Sequence, residues 1–271
     1  MQLLPPGTII AFFHALINPV LKFYIDWNSV SFSAVSFILT GVNDSVSTSL
    51  SADGSRHVTD DVINACTHLA GAVFALLGSV MLIVKASMAA KPWHIVGFSI
   101  YGISLVFLLI ASTLHHGVKL SPRNNYVFRV MDYSGIFLLI AGTMTPICMT
   151  ILRSPIGWSV LGTAWVVAII GITLKGAIPT LPKWVTNTLT LAMGWLPIVL
   201  AIPLFQATGL IGLSWVVGGG LLYTIGAVLF AIEKPNPVPG RFGFHEIWHL
   251  FVLGGMVLHF IFLYQYVLPS P

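Results

Sequence analysis

The chain has 271 residues, of which 56% are hydrophobic and only 7% are charged, and its mean hydropathy is +0.93. An ordinary globular domain carries roughly a quarter charged residues, so a soluble protein is excluded. The net charge of +4 is spread too thinly over apolar sequence to bind nucleic acid. Two cysteines within apolar segments exclude a disulfide framework. These features predict an integral membrane protein.

The N-terminal segment, residues 1–55, is predicted to be an extension that is interfacial or poorly ordered. Its first half is apolar enough to suggest a span, but His14, Pro19 and Lys22 interrupt it, and it lacks the basic start of a secretory signal. Its second half turns to Ser, Asp, Asn and Gly, which is typical of a flexible linker. Residues 56–271 are therefore predicted to form the membrane domain.

Apolar segments follow one another along this domain. A helix needs about 20 mostly apolar residues to cross a hydrocarbon core of roughly 30 Å. The segments lack the alternation of barrel strands, which favours helices. Seven spans are predicted, at residues 65–84, 93–115, 130–152, 157–174, 184–205, 208–232 and 244–267. The expected fold is an all-α, polytopic, seven-transmembrane helix bundle.

The distribution of cations predicts the orientation of the bundle, because short connectors rich in Lys and Arg stay in the cytoplasm. The connectors after the second, fourth and sixth spans hold Lys119, Arg123, Arg129, Lys175, Lys183, Lys234 and Arg241. The opposite connectors and the C-terminus hold only Lys85, Lys91 and Arg153. We expect a cytoplasmic N-terminus and an external C-terminus.

Polar residues cluster at one depth of the predicted bundle. Ionisable groups inside spans cost at least a few kcal/mol each, so their presence indicates a function or a specific partner. They lie at the span ends that are predicted to face the cytoplasm, and they comprise Asp61, Asn64, His68, Ser112, His116, Asp132, His245, Glu246 and His249.

The spacing of two of these histidines indicates a metal site. His245 and His249 are four residues apart and share one face of a helix. Two imidazoles at this spacing can bind one ion, and a third nitrogen from another helix leaves the fourth position open to water. His116 is the expected third ligand, because its span ends on the same side of the membrane.

Each of these residues also has a simpler interpretation. A lone histidine within a membrane more often forms an interhelical hydrogen bond than binds a metal. This interpretation applies to His14, His57, His68, His94, His115 and His259. Asp132 could pair with Arg129 one turn earlier, and Ser112 could pack between helices or bond a carbonyl.

Residues 245–249 also match the H-E-x-x-H pattern of zinc proteases, in which the glutamate, here Glu246, is the general base. The longer pattern of one protease class fails, because Val252 and Gly255 stand where a glycine and a third histidine belong. An intramembrane protease remains an alternative.

Five motifs in order resemble the hemolysin III family, the bacterial branch of the progestin and adiponectin receptor proteins. That family is grouped with alkaline ceramidases as metal-dependent membrane hydrolases. The resemblance covers about residues 58–268. The motifs are Asp61-x-x-Asn64-x-x-Thr67-His68, Ser112-Thr113-Leu114-His115-His116, Asp132-Tyr133-Ser134-Gly135-Ile136, Gly142-Thr143-Met144-Thr145-Pro146 and His245-Glu246-Ile247-Trp248-His249.

The resemblance implies a Zn²⁺ ion on His116, His245 and His249, with Asp132 and Ser112 beside the metal-bound water. We expect Asp61, Asn64 and His68, at the same depth, to support the ligands. The chain departs from the family at two positions. The family usually has Glu at the place of Asp61, and it commonly has an aromatic residue at the place of His115.

Together these features predict a zinc-dependent hydrolase of lipid amides or esters, such as a ceramide-type molecule, at the cytoplasmic face of the bacterial plasma membrane. Zinc would polarise a carbonyl and acidify water. Asp132 would accept the water's proton, and Ser112 would place the nucleophile or steady the oxyanion. The alternatives are a pore-forming hemolysin and a receptor or sensor with a structural zinc.

Overall fold

The computed structural model describes residues 61–118 and 121–271, so the predicted extension lies outside the described residues. The described part forms α1 (Asp61–Met88), α2 (Pro92–Gly117), α3 (Pro122–Met149), α4 (Pro155–Ala177), α5 (Lys183–Trp195), α6 (Ala201–Ile232) and α7 (Phe244–Phe262). A 3₁₀ turn (Leu196–Leu200) precedes α6, and a π-helical turn (Leu263–Val267) follows α7. The β-structure in these ranges is one isolated bridge, between Val238 and Phe242. The all-α prediction is confirmed.

Serine caps and prolines fix the starts of the central helices. A proline lies in the first turn of α2, α3 and α4, where no backbone donor is needed. The Ser121 hydroxyl accepts a hydrogen bond from the Asn124 amide at 3.4 Å, and Ser154 accepts one from Gly157 at 3.2 Å. As a result α3 begins at Pro122, well before residue 130, where the third span is predicted to start.

Six helical segments of the described residues are long and apolar enough to cross a membrane, which makes the chain an integral, multi-pass membrane protein. The difference from the predicted seven lies in Lys183–Ile232, because these 50 residues, predicted as two spans, form one nearly continuous helical stretch. A straight helix of that length would measure about 75 Å, more than twice a hydrocarbon core.

This long stretch turns back on itself at Gly209. The glycine has φ 69° and ψ −174°, a conformation that is essentially restricted to glycine. The Trp195 indole nitrogen donates a 3.1 Å hydrogen bond to the Thr224 hydroxyl, although the two residues are 29 positions apart. The limbs on either side of Gly209 therefore run alongside each other.

The helices pack so that the first and last meet. α1 contacts α2 and α7, α2 contacts α3, α3 contacts α4, and α6 contacts α7. α2 and α3 approach closely because Gly97 lacks a side chain: a Cβ there would lie 2.7 Å from the Cα of Pro146. This arrangement brings the start of α1, the end of α2 and the start of α7 to one end of the bundle.

Candidate metal centre

Three imidazoles from two helices form a compact triangle at this end. The ring centroids of His116 and His245 are 4.8 Å apart, and His249 lies 5.0 Å from each of them. One potential ligand atom from each residue lies within 4.8 Å of the other two. All three side chains are buried, with exposed fractions of 2 to 4%. The residues that the sequence predicted to share a metal therefore lie together.

Asp61 supports one of these imidazoles. Its Oδ1 atom lies 3.1 Å from Nδ1 of His116, in an ion-pair contact between α1 and α2. A carboxylate can only accept a hydrogen bond, so this contact favours a proton on Nδ1 and leaves the lone pair on Nε2. The aspartate reaches the ring even though the family usually has the longer glutamate here.

Glu246 ties helices together and does not join the potential ligand cluster. Its Oε1 accepts a 2.9 Å hydrogen bond from the Asn64 amide, and its Oε2 accepts a 2.7 Å bond from the backbone nitrogen of Gly243, which caps α7. The side chain is 1% exposed. Both oxygens are thus engaged in structural bonds, which argues against the general-base role required by the protease alternative.

His68 lies flat against one of the three imidazoles. Its ring centroid is 3.8 Å from that of His249, with an interplanar angle of 18°. The ring is buried in α1, one turn after Asn64. Each predicted supporting residue of α1 therefore contacts either one of the three histidines or Glu246, which lies on the helix carrying two of them.

Asp132 and Ser112 lie beside the triangle, in a shared cavity of about 70 Å³. Both side chains line this cavity, and a carboxylate oxygen of Asp132 lies within 4.8 Å of a nitrogen of His116. Arg129, the alternative partner predicted for Asp132, instead lies over the Tyr126 ring at 5.5 Å. The cavity has room for several water molecules.

His115 also belongs to this site, although its sequence position did not predict it there. It lines the cavity, and its potential ligand atom lies within 4.8 Å of those of His116 and Asp132. Adjacent residues on a helix point about 100° apart, so spacing alone does not place His115 beside His116. The sequence indicated a special role for His115 only in one way, because the family commonly has an aromatic residue at this position.

The remaining histidines of the described residues lie elsewhere. His94 is near the opposite end of the bundle, where its Nε2 contacts the carbonyl of Val267 at 2.9 Å. His259 lies farther along α7, and its Nε2 contacts the carbonyl of Val216 at 3.1 Å. Both form the interhelical bonds that the simpler interpretation expects. His14 and His57 lie outside the described residues.

A larger apolar cavity of about 190 Å³ adjoins the polar one. The two share wall residues, among them Leu108, Trp248 and Val252. The apolar cavity continues between α3, α5, α6 and α7 as far as Phe262. An apolar chain lying there would have its end next to the three histidines.

The donor set fits a metal ion. The Nε2 atom of His116 is buried and has no hydrogen-bond partner, which is costly for an imidazole nitrogen unless an ion or water satisfies it. Three nitrogen ligands with a neighbouring cavity match the open type of zinc site. Such a site can bind a Lewis acid and still admit water.

The part of the chain that forms this site is similar in sequence to known proteins. The family model described as "Haemolysin-III related" matches residues 56–260. The chain belongs to the hemolysin III family. Hemolysin-3 of Bacillus cereus is 38% identical over 216 residues, covering 80% of this chain and 95% of the relative. The Hemolysin-3 homolog of Bacillus subtilis (strain 168) is 32% identical over 214 residues, covering 79% and 97%.

The family relationship extends to animals. The human protein named monocyte to macrophage differentiation factor is 27% identical over 212 residues, covering 77% of this chain and 84% of the relative. The resemblance recognised from the five motifs is therefore confirmed. All the residues of the polar cluster lie within the part of the chain that matches the hemolysin III family.

Proposed function

We propose that this hemolysin III protein is a zinc-dependent hydrolase of lipid amides or esters at the cytoplasmic face of the plasma membrane. The observation that carries the proposal is the cluster of His116, His245 and His249, buried beside a cavity that holds a carboxylate and a hydroxyl. Zinc bound there would supply a Lewis acid that polarises a carbonyl and makes water more acidic.

Residues around the cavity transfer the proton, hydrogen-bond to the reacting groups and orient a metal ligand. Asp132 accepts the proton of the attacking water and later returns it to the leaving amine or alcohol. The Ser112 hydroxyl, which lines the same cavity, donates a hydrogen bond to the water or to the developing oxyanion. Asp61 holds His116 in the orientation in which Nε2 faces away from the carboxylate.

The apolar cavity supports a lipid as the substrate. Its walls are almost entirely hydrophobic, and it begins where the polar cavity ends. A molecule with a long apolar chain and an amide or ester head can place the chain among these walls and the head near Asp132. A ceramide-type amide has this shape.

We propose further that the two limbs on either side of Gly209 cross the membrane separately, giving seven spans with a cytoplasmic N-terminus. The length of Lys183–Ile232 and the bond between Trp195 and Thr224 support two antiparallel crossings.

Single cysteines at Gln206, Pro237 and Pro271, introduced into a chain lacking Cys66 and Cys148, test this topology. An impermeant thiol reagent should label positions 206 and 271 from outside the cell and position 237 only after permeabilisation. External labelling at 237 would contradict it.

The proposed chemistry is tested by elemental analysis and lipid turnover on detergent-purified protein. Wild type should carry zinc and release fatty acid from a ceramide or a related lipid. His245→Ala should lose both properties. His94→Gln removes an imidazole near the opposite end of the bundle and should keep both. Stoichiometric zinc without turnover of any lipid amide or ester would point to a structural ion, and absence of zinc from wild type would reject the proposal.

A second candidate, cytolysis, is favoured by the names of the two bacillary relatives. Pores usually have a polar lining along their length, whereas the larger cavity of this bundle is apolar. If this protein lyses red cells, we therefore expect the release of haemoglobin to result from lipid hydrolysis and not from a pore. Lysis that persists at wild-type level in a triple alanine variant of His116, His245 and His249 would favour the pore instead.

A further inference from the structure

A second group of potential ligands adjoins the three histidines. A nitrogen of His115, a nitrogen of His116 and a carboxylate oxygen of Asp132 all lie within 4.8 Å of one another. His115 is 5% exposed, and its Nδ1 atom is buried without a hydrogen-bond partner. Its ring centroid is 4.8 Å from that of His116.

Packing alone does not explain this imidazole. An aromatic ring would fill the same volume without burying a nitrogen that lacks a partner, and such burial costs free energy. His115 and Asp132 line one cavity with space for water. Both residues thus carry donors of the kind that bind divalent cations, and both lie on the wall of a space that can hold one.

His116 can serve only one ion. Its Nδ1 contacts Asp61, so Nε2 is the nitrogen that remains for a metal. If His116 joins His245 and His249 on one ion, His115 and Asp132 remain as a separate pair of nitrogen and oxygen donors. Two ligands of one tetrahedral zinc ion lie about 3.4 Å apart, given bonds of about 2.1 Å. Shifts of about 0.7 Å by each donor atom would therefore bring a separation of 4.8 Å to coordination distance.

We propose that this chain binds a second divalent cation on His115 and one carboxylate oxygen of Asp132, next to the ion on the three histidines, while the other oxygen of Asp132 accepts the water's proton. The inference rests on the proposed function for its first ion. The Asp61 and Asp132 carboxylates supply part of the negative charge that two neighbouring cations require. A pair of ions about 3.5–4 Å apart is a recurrent hydrolytic arrangement that stabilises both the attacking and the leaving oxygen. With two protein ligands and water, the second ion is the more weakly held.

The test is the metal content of the full chain. Purified protein is stripped with a chelator, reloaded with excess Zn²⁺, desalted and analysed for zinc per chain. Wild type should bind two ions, whereas His115→Phe and His115→Tyr, which restore an aromatic residue, should bind one. His259→Gln, which changes an imidazole away from the site, should bind two. During dialysis against increasing chelator, wild type should lose its ions in two steps and the His115 variants in one.

The outcomes separate this inference from the proposed function. One ion in wild type and also in both His115 variants would overturn the second site while leaving the three-histidine site intact. No ion in any protein would remove both. The two His115 variants guard against a folding defect in either one, and retention of the first ion by a variant shows that its site is formed.

Discussion

The contact between Asp61 and His116 gives the aspartate a measurable role. Asp61→Asn keeps the size of the side chain but removes its charge, so it no longer favours the lone pair on Nε2 of His116. Loss of such a supporting carboxylate typically lowers metal affinity by about 10–100-fold. We expect that loss in a zinc competition titration against a chromophoric chelator. Asp61→Glu, the usual family residue, should bind zinc nearly as well as wild type; unchanged affinity in Asp61→Asn would contradict the role.

Asp132 is predicted to act on the reaction more than on the binding of the first ion. Asp132→Asn removes the group that accepts the proton of the attacking water, so turnover of the lipid should fall by about 10²–10⁴-fold. The zinc held by the three histidines should remain, because the asparagine leaves those ligands in place. Steady-state rates and zinc content are measured on the same preparation. Wild-type turnover in this variant would remove Asp132 from the mechanism.

The sequence predicted the residues that meet in this site better than it predicted their contacts. The i, i+4 spacing of His245 and His249 places two imidazoles on one helix face by helix geometry alone, and the shared depth of His116 predicted it as the third. The contacts of Asp61 with His116 and of Glu246 with Asn64 depend on how α1 packs against α2 and α7. No periodicity within one helix specifies such contacts.

At the scale of the helix, Gly209 has a backbone conformation that tolerates little change. Gly209→Ala places a Cβ at φ 69° and ψ −174°, which should lower the free energy of unfolding by about 1–3 kcal/mol. The thermal unfolding midpoint in detergent should fall by several degrees. Gly220→Ala is the matched control in the same helix, since open space surrounds that position.

Gly220→Ala should leave the midpoint unchanged or raise it slightly, because alanine is favoured over glycine within a helix. A midpoint for Gly209→Ala equal to that of Gly220→Ala would mean that the turn tolerates a side chain.

Hydropathy located the helices because burial in lipid demands long apolar segments, and this demand acts on every residue of a span. It placed helix ends less well, because caps such as Ser121 extend α3 beyond its apolar part. It also does not specify whether two apolar segments are separated by a loop or by a single residue. The reversal at Gly209 depends on one backbone conformation, and the sequence marks it only by the short stretch Gln206-Ala207-Thr208-Gly209 between the two apolar segments.

At the scale of the whole molecule, the three-histidine cluster should couple metal binding to stability. An ion that binds only the folded state at 100 times its dissociation constant adds about 2.7 kcal/mol. Chelation should therefore lower the thermal midpoint by about 5–10 °C for a chain of this size. The midpoint of His249→Ala should respond less to the chelator than that of wild type. An equal response of this variant and wild type would place the stabilising ion elsewhere.

The meeting of the first and last helices has a consequence for biosynthesis. Asp61 lies on α1, His116 on α2 and His249 on α7, so these three side chains leave the ribosome at widely separated times. If the proposed ion binds, the nascent chain could acquire it only after α7 has entered the bilayer and docked against α1. Metal binding would then be the last step of assembly, and a chain truncated before α7 would keep the earlier apolar helices but lack two of the three candidate ligands.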